Sequence, residues 1–130
     1  MINLIMKKGL FFMLLLLMVG AFLFSSCTKN PEPFTIRESL LQGTWVRQGT
    51  QEYWRYNVDH TGETWDVSED VQQGEGTRFT WSTKTDQLNL LLKGNMGQVV
   101  PYDYTVKSLD LTQMVWEDIY GNTSTFVKQL

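Results

Sequence analysis

The chain has 130 residues, room for one small domain, with 42% hydrophobic and 13% aromatic residues and a formal net charge of −3. Its single cysteine excludes an intramolecular disulfide, and its single histidine leaves no second imidazole for a zinc site. With 11 basic against 14 acidic residues, no basic stripe is available to neutralise phosphates, which argues against nucleic acid as a partner.

Residues 6–24 read MKKGLFFMLLLLMVGAFLF: two lysines precede a long uncharged apolar run. This is the order of a secretory signal peptide, charged first and apolar second, with small residues following where cleavage would occur. The alternative is a retained membrane anchor, but the run 9–24 is 16 residues long, and a span needs about 20. Met6, followed at once by Lys7 and Lys8, reads as a more natural start than Met1. Loss of those two lysines takes the net charge from −3 to −5, so like-charged lipid headgroups would not attract the remaining chain.

Cys27 closes this stretch. A nucleophilic cysteine needs a base, and the only histidine, His60, lies far away in the turn-like VDHTGE. A free thiol is also a liability in an oxidising compartment. Leu23-Phe24-Ser25-Ser26-Cys27 resembles the lipobox of bacterial lipoproteins, although Phe24 stands where leucine is usual. The resemblance implies cleavage after residue 26, thioether lipidation of Cys27 and acylation of its new N-terminus. Each buried CH₂ contributes about 0.8 kcal/mol, so several acyl chains on one cysteine would hold the protein at a membrane essentially permanently. Residues 27–34, with Pro31 and Pro33 and no apolar periodicity, read as a tether. In an extended proline-type conformation of about 3.1 Å per residue, it would lift a domain roughly 20 Å. Surface lipoproteins of Bacteroides-type bacteria tend to carry an acidic run after the cysteine, whereas this chain has Lys29. The expectation is a lipid-anchored envelope protein of the outer membrane, facing the periplasm.

The domain is expected over 35–130. Thr35 and Glu38 have the spacing of a capping box, Ile36, Leu40 and Leu41 share a helical face, and Gly43 stands where a helix stops. One short helix is predicted, about 36–42. The pattern then changes to period two with strand-forming residues. TWVRQG and EYWRYNV are the first two strands, with Trp54, Tyr56 and Val58 on one face and Tyr53, Arg55 and Asn57 on the other. DHTG turns the chain into ETWDVS, and an acidic, glycine-containing loop runs to Gly76. TRFTWST puts Phe79 and Trp81 opposite Arg78 and Thr80; KTD turns into QLNLLLK, and GNMG into QVVPYDYTVKS, where Tyr102, Tyr104 and Val106 share a side. Pro101 cannot donate to a ladder and marks a strand end, an edge or a bulge. MVWEDI, the turn YGN and TSTFVKQL complete the chain. Eight short strands with short connections must pair antiparallel with their sequence neighbours. The expected fold is all-β: a small eight-stranded up-and-down barrel preceded by one short helix, with a flattened sandwich as the alternative.

A short helix followed by Gly43-Thr44-Trp45 at the start of an eight-strand meander resembles the Gly-x-Trp signature of lipocalins. The ordered set LQGTW, YWRYNVDHTGE, FTW, LNLLL, YTVKSLDLTQMVWED and TFVKQL is similar to the small lipocalin-like lipoproteins of Bacteroides-type bacteria, over about 40–128. The resemblance implies a cation packed over the signature tryptophan. Lipocalins use arginine there, whereas the candidate here is Lys128. The post-barrel helix and the longer strands of full lipocalins are missing. An interior of this size is either filled by its own side chains or holds one small ligand.

The candidate barrel-lining or ligand-contacting residues are Trp54, Tyr56, Phe79, Trp81, Tyr102, Tyr104 and Trp116, which equally well serve as core. Trp45 reads as a plug at the closed end. Asp66-Val67-Ser68-Glu69-Asp70 starts like a calcium loop, but Val71 occupies its glycine position and Thr77 its final glutamate position, so a solvated loop is expected. His60 reads as a turn or surface residue. Asp103 and Asp118 would serve as an acid and base only if the fold paired them, so no enzyme, metal or cofactor is expected. Two roles follow. One is a membrane-anchored binding protein for a small apolar or amphipathic ligand inside the barrel. The other is a protein-interaction module, such as an exported-protease inhibitor or envelope-complex subunit, using loops or a strand edge.

Overall fold

The alternation of large apolar and polar residues after residue 42 builds a sheet that closes on itself. A computed structural model describes residues 34–130; the leader, Cys27 and nearly all of the tether lie outside the described residues. A helix of one turn, α1 (Glu38–Leu41), precedes β1 (Gly43–Arg47), β2 (Glu52–Tyr56), β3 (Thr61–Asp66), β4 (Thr77–Lys84), β5 (Gln87–Lys93), β6 (Val99–Leu109), β7 (Gln113–Glu117) and β8 (Thr123–Lys128). Each strand pairs antiparallel with its sequence neighbour, and β1 pairs with β8, closing an eight-stranded barrel. The sandwich alternative is set aside by that closure, which leaves the sheet no end strand.

The alternating faces read from the sequence supply Trp54, Tyr56, Phe79, Trp81, Val106 and Trp116 to the interior. Trp45, Trp54, Tyr56, Phe79, Trp81, Leu88, Leu90, Val106, Met114, Trp116 and Phe126 are all buried. Val58 does not join Trp54 and Tyr56 on this face. It lies in the β2–β3 turn and is 74% exposed, because β2 ends at Tyr56.

Helix α1 is shorter than expected, and the capping box is absent. Arg37 is the N-cap and makes no side-chain cap bond. Glu38 instead turns to the barrel, accepting from Thr83 Oγ1 at 2.8 Å and meeting His60 Nε2 at 2.9 Å. A four-residue helix has no hydrogen-bond reserve of its own, so its position comes from tertiary contacts. Ile36 N donates to Thr85 O at 2.8 Å, and the Leu41 side chain is fully buried. These contacts lay α1 across the end of the barrel that carries the β2–β3, β4–β5 and β6–β7 turns.

The Gly-x-Trp segment locks that end. Trp45 Nε1 donates to Leu41 O at 2.8 Å, and Lys128 Nζ donates to Leu40 O at 3.1 Å, so two helix-terminal carbonyls gain partners. The Lys128 ammonium also stands 5.2 Å from the Trp45 ring centroid, within cation–π range. Gly43 makes this possible. Its φ is +123°, and a Cβ there would come within 2.8 Å of Lys128 Cε.

Candidate functional site

The barrel interior is the first place to look for a site, and it is filled. Its aromatic rings form one connected string. Trp81 meets Tyr56 with centroids 5.9 Å apart, Tyr56 meets Phe79 at 5.4 Å, and Phe79 meets Trp54 at 5.8 Å. Trp54 meets Trp116 edge-on at 5.3 Å, and Trp116 meets Phe126 at 4.3 Å. Tyr104 stacks flat on Trp116 at 3.9 Å. Such offset and edge-to-face contacts add about 0.5–1.5 kcal/mol per pair beyond the area they bury. Burial raises the Tyr56 phenol well above its usual pKa, with Tyr104 adding to the effect. Burial also pushes Tyr104 up to about 12, helped by Tyr102, Glu52 and Asp118, so both phenols are neutral at physiological pH. The Trp54 indole N–H and the Tyr56 hydroxyl are buried without a hydrogen-bond partner among the described residues.

At the open end, Arg47, Glu52, Trp54, Tyr104, Trp116, Asp118 and Ser124 line a concavity of only about 130 Å³. Typical ligand pockets hold about 300–1,000 Å³. Of the residues expected to line the barrel, Trp54, Tyr56, Phe79, Trp81 and Trp116 are core, and Tyr104 is half-buried at the mouth. Tyr102 has the same inward parity and pairs with the buried Leu90, but β7 stops short of it and leaves it 45% exposed.

The rim is uneven because β6 outruns β7. Strand β6 starts at Val99, but β7 covers it only from Thr105, so 99–104 has a partner on one side only. Five of the eleven exposed large hydrophobics among the described residues, Leu91, Met96, Val99, Val100 and Tyr102, sit on this one hairpin. On its inward-parity side, Leu92, Val100, Tyr102 and Met96 line a concavity of about 430 Å³. The edge itself is blunted. Val106 N donates to Asp86 O, which fixes the ladder phase and makes Leu91–Pro101 a pair without mutual hydrogen bonds. The nitrogen of Pro101 therefore faces the uncovered edge, where its missing N–H removes one of the donors a new strand would need.

The outer wall carries a second feature that sequence reasoning missed. Glu63 points outward, yet it is only 2% exposed, because the loop 67–76 folds back over the wall. Its carboxylate accepts from Gly74 N at 2.9 and 3.1 Å, and Arg55 Nη2 is 3.8 Å away. Arg55 and Arg78 flank Glu63 in register on β2 and β4. Beside them opens a groove of about 560 Å³ lined by Arg55, Glu63, Gly74, Arg78, Thr80, Leu91, Lys93 and Val99, among others. A neighbouring concavity of about 550 Å³ shares Arg78 and Lys93 and contains Glu52, Asp66, Glu69 and Glu75. Trp65, which also lines this concavity, stacks in parallel with Tyr53 at 5.4 Å.

The remaining candidates are structural in this fold. His60, with φ +67°, lies in the β2–β3 turn as expected, its side chain 45% exposed, and from there it stacks on Trp81 at 4.2 Å and bonds Glu38, so it also clasps α1 to the barrel. Asp66 caps a 3-10 turn, Val67–Glu69, by accepting from Ser68 N. Asp103 accepts from Asn89 and Asp118 from Tyr120 and Asn122, each within its own hairpin. Among the described residues, no group of three His, Cys, Asp or Glu side chains is arranged to hold a metal ion. No family model, no curated protein and no solved structure matches the chain.

Proposed function

We propose that this chain is a lipid-anchored, non-catalytic module of the cell envelope that engages another envelope protein through the β5–β6 hairpin. The observation that carries the reading is the filled interior: the connected string of aromatic rings leaves about 130 Å³ at the mouth. That packing supports the interaction role over the capture of a small apolar ligand inside the barrel. The projecting Met96, Val100 and Tyr102, 92%, 39% and 45% exposed, supply the apolar contact surface. Pro101 disfavours strand addition, so recognition runs through side chains. The anchor rests on Cys27 and the lipobox resemblance, with the outer membrane, periplasmic side, as the site of action.

Two measurements test this. Radiolabelled palmitate should enter the native chain and not a Cys27→Ala variant; labelling that survives the substitution refutes the anchor. On native gels of solubilised membranes, the chain should migrate in a complex that Met96→Lys/Tyr102→Lys releases, while Asp110→Lys at the opposite end leaves it intact. A chain that migrates alone, or one that carries a stoichiometric extractable apolar molecule, would overturn the interaction reading.

A further inference from the structure

We propose that the outer-wall groove between the 67–76 loop and the β5–β6 hairpin binds a small organic anion, an oxyanion head on an apolar body. The inference does not rest on the partner reading above. The chain is acidic overall, yet this groove gathers Arg55, Arg78 and Lys93 against one carboxylate, Glu63. Glu63 is already engaged by Gly74 N and Arg55. The buried Arg55 Nε has no hydrogen-bond partner among the described residues. Phe79 pairs with Leu92, so Arg78 and Lys93, the next residues along the two strands, are neighbours of like charge. Like charges side by side on a sheet destabilise it unless a counter-charge joins them. Neither forms an ion pair with a described residue, although acids line the adjoining concavity.

The geometry sets the ligand class. Two guanidinium groups and an ammonium suit a carboxylate or phosphate oxyanion, with the arginines offering bidentate donors. Leu91 and Val99, 47% and 58% exposed, give the other wall an apolar surface. A volume of about 560 Å³ admits a drug-sized molecule. Carboxylate and phosphate share this chemistry, and separate probes distinguish them.

The test is calorimetric titration of the full chain in non-ionic detergent with phenyl phosphate, 4-phenylbutyrate, 4-phenylbutanol and inorganic phosphate. At least one organic anion should bind about tenfold or more tightly than both the alcohol and inorganic phosphate. Its affinity should fall as salt rises from about 0.05 to about 0.5 M. Arg78→Gln/Lys93→Gln should weaken it about tenfold or more, and Leu91→Glu, which puts a carboxylate in the groove, should do the same. Met96→Lys/Tyr102→Lys should leave it unchanged. Thermal melts matching the native chain would show that the groove variants fold. The proposal is overturned if no organic anion binds, if inorganic phosphate binds as tightly, or if folded groove variants bind as the native chain does.

Discussion

Replacing Lys128 with methionine isolates what the ammonium does at the closed end of the barrel. Methionine keeps the side chain through the Cε position that passes over Gly43 and deletes only the charged donor. Two interactions go. The first is the charge-assisted hydrogen bond to Leu40 O at 3.1 Å, whose class contributes about 1.5–3 kcal/mol and falls toward the lower limit at this half-buried position. The second is the cation–π contact with Trp45 at 5.2 Å, about 0.5–1 kcal/mol for a partly exposed pair. Some hydration of the vacated Leu40 carbonyl offsets part of the loss, leaving about 1.5 kcal/mol. In a domain of this size that is a fall in Tm of roughly 6–12 °C. Lys128→Arg is the control, since it restores a donor and a stacking cation and should melt close to the native chain. Thermal unfolding followed by circular dichroism reads both. A methionine variant melting within about 1 °C of the native chain, or an arginine variant as unstable as the methionine one, would refute the assignment of Lys128 as the cation that fastens α1 to Trp45.

Gly62→Ala should destabilise by about 3 kcal/mol or more, read as a lower denaturation midpoint, since its Cβ would stand 2.3 Å from Phe79 Cζ and 2.4 Å from the fixed Arg55 carbonyl. Below pH about 4.5 the native chain should lose stability: Thr83 and His60 hold Glu38 below its usual 4.5, and a carboxylate with a lowered folded-state pKa stabilises above its unfolded value and ceases to as pH falls through the folded one. Glu38→Gln should flatten that acid limb in melts run from pH 7 to pH 3, and an unchanged limb would remove Glu38 as its source. Of the five tyrosines, Tyr56 and Tyr104 should resist ionisation at pH 11 in an ultraviolet titration, and stability should decline as pH climbs from about 10 toward about 12, because their folded-state pKa values are raised. Pro101→Val should leave the melting temperature nearly unchanged but increase self-association in sedimentation experiments, because it restores an outward N–H to the uncovered edge.

Most of the barrel was legible because strand alternation is a local property. Trp54 and Tyr56, or Phe79 and Trp81, announce their shared face within three residues of sequence. The helix was less legible. Thr35 and Glu38 have capping-box spacing, but Glu38 finds better partners in Thr83 and His60, which lie 45 and 22 positions away. His60 does sit partly exposed in a turn, but its stacking on Trp81 and its bond to Glu38 exist only after three elements meet. The outer groove was invisible in the same way. The alternation puts Arg55 and Arg78 opposite the Trp54–Tyr56 and Phe79–Trp81 faces, but their adjacency to Glu63 depends on the register of three strands, and no pattern within one strand encodes it. The burial of Glu63 depends further on the loop folding back over the wall: the loop is largely exposed, as its composition predicts, but composition does not place Gly74 against Glu63.

The eight-strand closure leaves two outcomes open for such a barrel, a cavity or a plug, and side-chain size at the inward positions decides between them. Strands β1, β2 and β7 have only five residues each, so the wall they give is short. Into that short cylinder the sequence directs five tryptophan, tyrosine and phenylalanine rings in continuous contact, from Trp81 to Trp116, and Phe126 adds a sixth. Each such ring buries about 150–250 Å², so the interior is consumed by the fold's own stabilisation. Beyond the small concavity at the mouth, the larger concavities of such a barrel lie on its outside. That is where Arg78 and Lys93, unpaired among the described residues, the buried outward carboxylate and the projecting apolar hairpin are found, and where substitutions that leave the aromatic string intact separate anion binding from partner binding.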